Sequence, residues 1–203
     1  MKIIDINKID KDNILDITSM IRSGGLIIFP TDTVYGVGAD AFNKRSVGRI
    51  YKLKKRNAKK SLILFLYKKS DLRKFIKEIP KGANELIDKF WPGPLTLIFK
   101  ATKYTPGSVR SGDTVAIRIP DCKPLLRIMK KAGVLLATTS ANISGNKNVL
   151  SIKEMPLRLL MGVDAVFDGG FISKGKESTI VDLTQKPFKV LREGAVSSKK
   201  LGL

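Results

Sequence analysis

The chain of 203 residues is expected to fold as one mixed-sheet α/β domain. Short apolar runs alternate with stretches whose apolar residues recur at helical spacing. Some of those runs follow one another with no helix between them, and the length suits a single hydrophobic core.

The elements read as follows. Lys2–Ile6 alternates like an edge strand, and Ile14, Leu15, Ile17, Met20 and Ile21 form a helical stripe that Gly24-Gly25 stops. Leu26–Phe29 is a strand apolar on both faces. Pro30 ends it, because proline has no N–H and a fixed φ. Asn43 caps a helix running to about Leu53, Ser61–Tyr67 is a strand, and Ser70 opens another helix. A helix over Gly82–Phe90 ends at the breaker Trp91-Pro92-Gly93-Pro94. Leu95–Lys100 and Thr114–Ile119 are strands, Pro124–Ala132 a helix, and Val134–Thr138 a buried strand. Pro156–Met161 is a short helix, and strands Ala165–Phe167, Thr179–Leu183 and Phe188–Leu191 complete the set. No repeat, low-complexity stretch or linker interrupts residues 1–203, which read as one domain.

Composition excludes several chemistries. Cys122 is the only cysteine, so no disulfide or cysteine zinc site can form within the chain. With no histidine, histidine triads, histidine zinc sites and imidazole proton shuttles are ruled out. The N-terminus is charged already at Lys2 and Asp5, too early for a signal peptide. No run approaches the ~20 apolar residues of a membrane helix. A soluble cytoplasmic protein without membrane partners is expected.

Thirty-eight Lys and Arg against eighteen Asp and Glu give a net charge of +20. Lys44–Lys81 holds fifteen Lys or Arg against Asp71 and Glu78, a net +13 in under a fifth of the chain. Such clustering fits a polyanionic partner, while a Lys-rich composition and a solvated helix face account for the same run without one.

Chemistry-bearing residues gather in a few places. After Pro30 come Thr31, Asp32, Thr33, Tyr35, Gly36 and Gly38, a dense set of hydrogen-bonding groups and bare backbone at a strand end. A turn that caps a helix would use the same residues. Lys54-Lys55-Arg56 with Lys60 offers cations for phosphate, which guanidinium forks fit geometrically. In the extended stretch Thr138-Thr139-Ser140-Ala141-Asn142, two hydroxyls and an amide line one cleft, unless the stretch is a polar loop opening a helix. Arg118 is a charge within the apolar strand Val-Ala-Ile-Arg-Ile-Pro and needs a partner, either a bound carboxylate or an internal Asp or Glu. Gly170–Lys176 has the Gly-x4-Gly-Lys spacing of a phosphate loop. Glu177 stands where Ser or Thr is required, and a strand follows where a helix is needed, so that motif fails.

Phe-Pro-Thr-Asp-Thr-Val-Tyr-Gly-Val-Gly, Lys-x-Arg, Trp-Pro-Gly-Pro-Leu-Thr, Val-Ala-Ile-Arg-Ile-Pro, Thr-Ser-Ala-Asn-x-Ser-Gly and Ser-Thr-Ile-Val-Asp occur in this order over about Gly25 to Gly194. Together they resemble the YrdC-like family, the threonylcarbamoyl-AMP synthases. The resemblance implies a twisted, mostly mixed sheet flanked by helices around a large positively charged cleft. It also implies synthesis of threonylcarbamoyl-adenylate and pyrophosphate from L-threonine, bicarbonate and ATP, for the threonylcarbamoyladenosine beside the anticodon of tRNA. Threonine would be held by Thr33, Arg118, Thr138 and Ser178. ATP would be held by Lys54, Arg56, Lys60, Thr114, Ser140, Asn142, Asn148 and Arg192.

No residue stands out as a general base. Mg²⁺ is expected to arrive with ATP, with no protein-bound metal or organic cofactor. A separate transferase machinery would complete the tRNA modification, and weak binding of tRNA or double-stranded RNA is expected, since the family includes RNA-binding members. Asn57 and Ser61 replace prolines common in relatives, and Phe65 stands where longer relatives often have histidine. The chain reads as the short form, without the C-terminal domain of the longer branch. Besides a carbamoyl-transfer domain of hydrogenase maturation, which shares the fold but carries cysteine zinc fingers that the single Cys122 cannot form, a non-catalytic RNA-binding module is the rival reading. It would need the basic run but neither Arg118 nor the Ser140/Asn142 pair.

Overall fold

The computed structural model describes residues 1–58, 60–173 and 175–203. Lys59 of the basic run and Lys174 of the Gly170–Lys176 segment lie outside the described residues. The first strand, β1 (Lys2–Asp5), is at the sheet edge, and helix α1 (Lys11–Arg22) is capped by Asp10, whose carboxylate accepts from the Asn13 N–H. Strand β2 (Ile27–Phe29) ends before Pro30, as expected, and its side chains are all buried. It turns back as β3 (Gly36–Asp40), which leads to α2 (Lys44–Lys54). The Asn43 side chain accepts from the Ser46 N–H to cap α2, and losing such a cap costs about 1 kcal/mol.

Then come β4 (Ile63–Phe65), the short helix α3 (Leu72–Phe75), α4 (Ala83–Phe90), β5 (Leu95–Lys100), β6 (Arg110–Ser111) and β7 (Thr114–Arg118). Helix α5 (Lys123–Ala132) precedes β8 (Leu136–Ser140), and α6 (Leu157–Met161) precedes β9 (Ala165–Asp168). A hairpin of β10 (Thr179–Asp182) and β11 (Lys189–Arg192), then α7 (Ser198–Leu201), complete the chain.

Among the described residues these strands form one sheet in the order β1-β9-β2-β3-β8-β4-β7-β5-β10-β11, with β6 pairing on β7. The β1/β9, β2/β9, β4/β7 and β5/β10 pairs are parallel and the rest antiparallel, the expected mixed sheet. Strand alternation splits the core in two. Ile27, Phe29, Leu136 and Phe167 pack with Ile17 and Ile21 of α1 and Leu125 and Met129 of α5. Ile28, Val37, Leu64 and Ala137 belong to the other cluster, with Val47 and Ile50 of α2. No helix is long and apolar enough to cross a membrane, among the described residues.

Two expectations need correction. The bare backbone expected at the end of β2 is itself part of a strand, because Gly36 and Gly38 pair with Phe29 and Ile27. Neither has positive φ. They are glycines because a Cβ on Gly36 would come 2.8 Å from the Phe29 ring, and one on Gly38 3.1 Å from Thr138 Cγ2. The buried strand expected at Val134–Thr138 lies two residues later, at Leu136–Ser140, where Ser140 pairs with Gly36. Strand pairing, which local apolarity does not reveal, draws Thr139 and Ser140 into the sheet. As the failed phosphate-loop motif requires, the segment after Gly170–Lys176 enters strand β10 and not a helix.

Candidate functional site

The sheet and the loops at its strand ends enclose a cavity of about 500 Å³, within the range of small-molecule sites. Its lining residues come from the β2–β3 turn, the loop between α2 and β4, strands β3 to β8, the approach to β10, and β10 and β11 themselves. Eight of the twelve residues singled out from the sequence line it: Thr33, Arg56, Thr114, Arg118, Thr138, Ser140, Ser178 and Arg192.

Arg118, the last residue of β7, is buried, and its partner is internal. Its Nη2 donates to Asp32 Oδ1 at 2.6 Å, Nη1 to Thr33 Oγ1 at 3.0 Å, and Nε to the Gly93 carbonyl at 2.9 Å. Of the two partners left open by the sequence, the structure supplies Asp32. Burial lowers the Arg118 pKa, and Asp32 opposes that shift. Three of its five N–H groups are thus committed, which leaves two for a ligand. Asp32 Oδ1 also accepts from the Asp121 N–H at 3.1 Å, while Oδ2 is buried without a hydrogen-bond partner. The pair fixes the guanidinium, since removing one partner of a buried pair costs about 3–5 kcal/mol. Phe65 lies against it, with its ring centroid 5.7 Å from the Arg118 Cζ.

Hydroxyls also line the cavity. Thr33 Oγ1 is 2.8 Å from Thr31 Oγ1, and Ser178 Oγ is 2.8 Å from Thr96 Oγ1. Thr138 Oγ1 donates to the Ile63 carbonyl at 3.2 Å, and Thr114 Oγ1 to that of Ser111 at 2.8 Å.

Cations line the cavity as well. Helix α2 stops because Lys55 takes a left-handed conformation, φ +51°, and Arg56 turns back across the loop. Its Nε donates to the Lys60 carbonyl and its Nη2 to the Ser61 carbonyl, both at 2.9 Å. Burial lowers its pKa. Arg192, at the end of β11, donates from Nε and Nη2 to the Ser178 carbonyl at 3.1 and 2.8 Å.

The remaining four residues stand elsewhere. Lys54 is buried behind the wall, 1% exposed, with Nζ donating to Thr139 Oγ1 at 3.3 Å, Asn142 Oδ1 at 3.2 Å and the Ser140 carbonyl. Its three N–H groups are all engaged. Burial pushes the ammonium down to about 7; Arg56 adds to the shift and Glu177 opposes it. Asn142 does not share the cleft with Thr138 and Ser140, a correction to the expectation. Its Oδ1 accepts from Lys54 and from Ser140 Oγ at 2.7 Å, and its Nδ2 donates to the Asn146 carbonyl at 2.6 Å. A buried ammonium needs acceptors, and the amide supplies one. Lys60 contributes its backbone carbonyl to Arg56 and is exposed. Asn148 lines a separate groove with Lys147 and Glu154.

The sequence reading missed one lining residue of consequence, Glu177. It pairs with Arg192 Nη1 at 2.5 Å. Its only sequence signal is negative, an acid at the position that disqualifies the phosphate loop. Two departures noted above also reach the cavity, Ser61 and Phe65.

A family model, Sua5_yciO_yrdC, described as "Telomere recombination", matches residues 19–194. The chain belongs to the Sua5/YciO/YrdC family. It is 35% identical over 202 residues to a putative threonylcarbamoyl-AMP synthase of Methanocaldococcus jannaschii, covering 99% of this chain and 95% of that protein. It is 37% identical over 182 residues to the threonylcarbamoyl-AMP synthase of Pyrococcus abyssi, covering 89% of this chain and 54% of that one. The chain thus spans about half the length of the Pyrococcus relative. The crystal structure of P. abyssi Sua5 complexed with L-threonine superposes with a TM-score of 0.89 at 37% identity, over 96% of this chain and 58% of that one.

Proposed function

We propose that this Sua5/YciO/YrdC chain is an L-threonylcarbamoyladenylate synthase, a nucleotidyltransferase that joins L-threonine, bicarbonate and ATP and releases pyrophosphate. The supporting observation is the set of side chains that one cavity brings together. A fixed guanidinium among hydroxyls, Arg118 with Thr33, Thr138 and Ser178, suits an amino acid bearing a carboxylate and a hydroxyl. Arg56 and Arg192, with Thr114 and Ser140, suit a triphosphate. The P. abyssi protein solved with L-threonine supports the same assignment.

In this reading the threonine amine and bicarbonate-derived CO₂ form a carbamate, with loss of the amine proton. A carbamate oxygen attacks the ATP α-phosphorus, a P–O bond forms, and the bond to pyrophosphate breaks. The protein's contribution is to position the two substrates and neutralise charge. Arg118 orients the threonine carboxylate through its two uncommitted N–H groups, and Arg56 and Arg192 stabilise phosphate oxygens. Lys54 and Asn142 act from behind the wall by fixing the Ser140 end of β8, while Lys60 supports Arg56 through its carbonyl. Asn148 would meet the nucleotide where it extends past Ser140 toward the neighbouring groove. Mg²⁺ would enter on the ATP phosphates; among the described residues, no cluster of three or more Asp, Glu or Cys could hold it. When bound it would add charge neutralisation.

The adenylate is small and would pass to a separate cytoplasmic transferase that modifies tRNA. The basic run would give weak, sequence-independent tRNA binding. The decisive assay is pyrophosphate release on mixing the protein with ATP, L-threonine and bicarbonate. Release that needs all three supports the reading; none, or release without threonine, rejects it. An RNA-binding module alone would release none.

A further inference from the structure

Glu177 is one of two carboxylates lining the cavity. The other, Asp182, is engaged locally, accepting from Thr184 N at 2.8 Å, Thr184 Oγ1 at 2.7 Å and Gln185 Nε2 at 3.0 Å. Glu177 instead reaches across to Arg192 and lies close enough to Lys54 and Arg56 to influence both. A carboxylate on a guanidinium presents the same paired oxygens as a phosphate. We infer that Glu177 is a built-in anion that occupies Arg192 until a polyphosphate displaces it, and so limits how tightly the site takes phosphate. The inference rests on the reading that this cavity receives a triphosphate.

The backbone that carries Glu177 is fixed beside the cavity. Its carbonyl accepts from the Ala195 N–H at 2.9 Å. Gly194 passes so close that a Cβ there would lie 2.1 Å from that carbonyl oxygen, which explains the glycine. Arg192 is held in turn by the Ser178 carbonyl, so it stays beside the cavity when its Nη1 exchanges carboxylate for phosphate. The displaced carboxylate therefore remains near the phosphates and repels them. This makes Glu177 a specificity-determining residue. It disfavours simple anions, which cannot outbid it, and admits a polyanion whose other charges meet Arg56. It also favours release of the pyrophosphate product.

Inorganic triphosphate binding, measured by calorimetry in metal-free buffer, tests this. Glu177→Gln keeps the shape and removes the charge, and is expected to tighten binding on the order of tenfold, the size of one charge contact at cavity distances. Glu177→Asp keeps the charge and should stay within about twofold of the parent, because removing the charge is what relieves the repulsion. A gain in the Gln variant alone supports the inference. No gain, a loss, or an equal gain in both variants overturns it while leaving the synthase reading standing, provided the parent binds triphosphate. A parent that binds none overturns both.

Discussion

Lys54→Met is expected to flatten the alkaline rise in this protein's stability. Lys54 is 1% exposed, and burial holds its ammonium at about 7 against an ordinary 10.5. Between those two values the unfolded chain carries a proton on Lys54 that the folded protein does not. Stability therefore rises with pH across that window, and this contribution is lost as pH falls back toward 7. A full pH unit is worth about 1.36 kcal/mol, and with Lys54 half-titrated at pH 7 the parent should gain roughly 2.3 kcal/mol relative to the variant between pH 7 and pH 9. Below pH 7 the ammonium is charged in both states, and the gap between the two proteins should be constant.

Urea denaturation of both proteins at unit intervals from pH 6 to pH 9 measures this gap, with the m-value checking that unfolding stays two-state. Burial also raises the pKa values of Cys122, Tyr35 and Tyr51. Those groups act in the opposite sense, because the folded state keeps a proton that the unfolded chain releases. They are present in both proteins and cancel in the difference. A gap that does not change with pH would show that the three acceptors around Nζ hold the ammonium charged throughout. The reasoning from burial would then be wrong.

Three further outcomes are expected. Arg56→Ala should weaken ATP binding by about 1.5–3 kcal/mol, the range for hydrogen bonds to a charged group, with the fold intact by circular dichroism; unchanged affinity by calorimetry would place the nucleotide elsewhere. L-threonine should bind and L-valine much worse, because a methyl cannot make the hydrogen bonds that the Thr33, Thr138 and Ser178 hydroxyls offer a hydroxyl, and Arg118→Leu should abolish binding of both; equal competition by valine would remove those hydroxyls from the site. Replacing Lys68, Lys69, Lys74 and Lys77 with Gln should reduce tRNA retention and its salt slope while adenylate synthesis continues, although Lys68 and Lys69 already face Asp71 and Asp88 at 3.3 and 2.9 Å. Retention equal to the parent at low salt would make the run compositional.

Much of the fold was legible because apolar runs bounded by Gly, Pro and caps mark elements locally. Asn43 capping α2 and Pro30 ending β2 are examples. Strand β3 was hidden because Gly36 and Gly38 look like turn residues, yet they are small only to admit the Phe29 ring and Thr138. The limits of β8 depend on pairing with β3 and β4, which is information held in other segments. Motif and resemblance named most of the cavity wall but could not say which way each side chain turns. Lys54 and Arg56 are two residues apart in one motif. The left-handed Lys55 between them sends one into the core and the other over the cavity.

That divergence bears on what the net charge of +20 means for the site. Composition suggests a cavity flooded with positive charge, but its cations are largely answered from within. Asp32 faces Arg118, Glu177 faces Arg192, and oxygen dipoles of Thr139, Ser140 and Asn142 surround Lys54. Arg56, by contrast, makes its hydrogen bonds to two carbonyls, which neutralise no charge. Affinity for a polyanion would then depend on one half-buried guanidinium without an acidic hydrogen-bond partner and on the exchange of Glu177 for phosphate at a second. The rest of the +20 lies outside the cavity, where screening limits its reach to about 8–10 Å at ordinary salt. A large basic excess and a discriminating nucleotide site are therefore separate properties of the chain, and Arg56 and Glu177 are the residues at which they can be told apart.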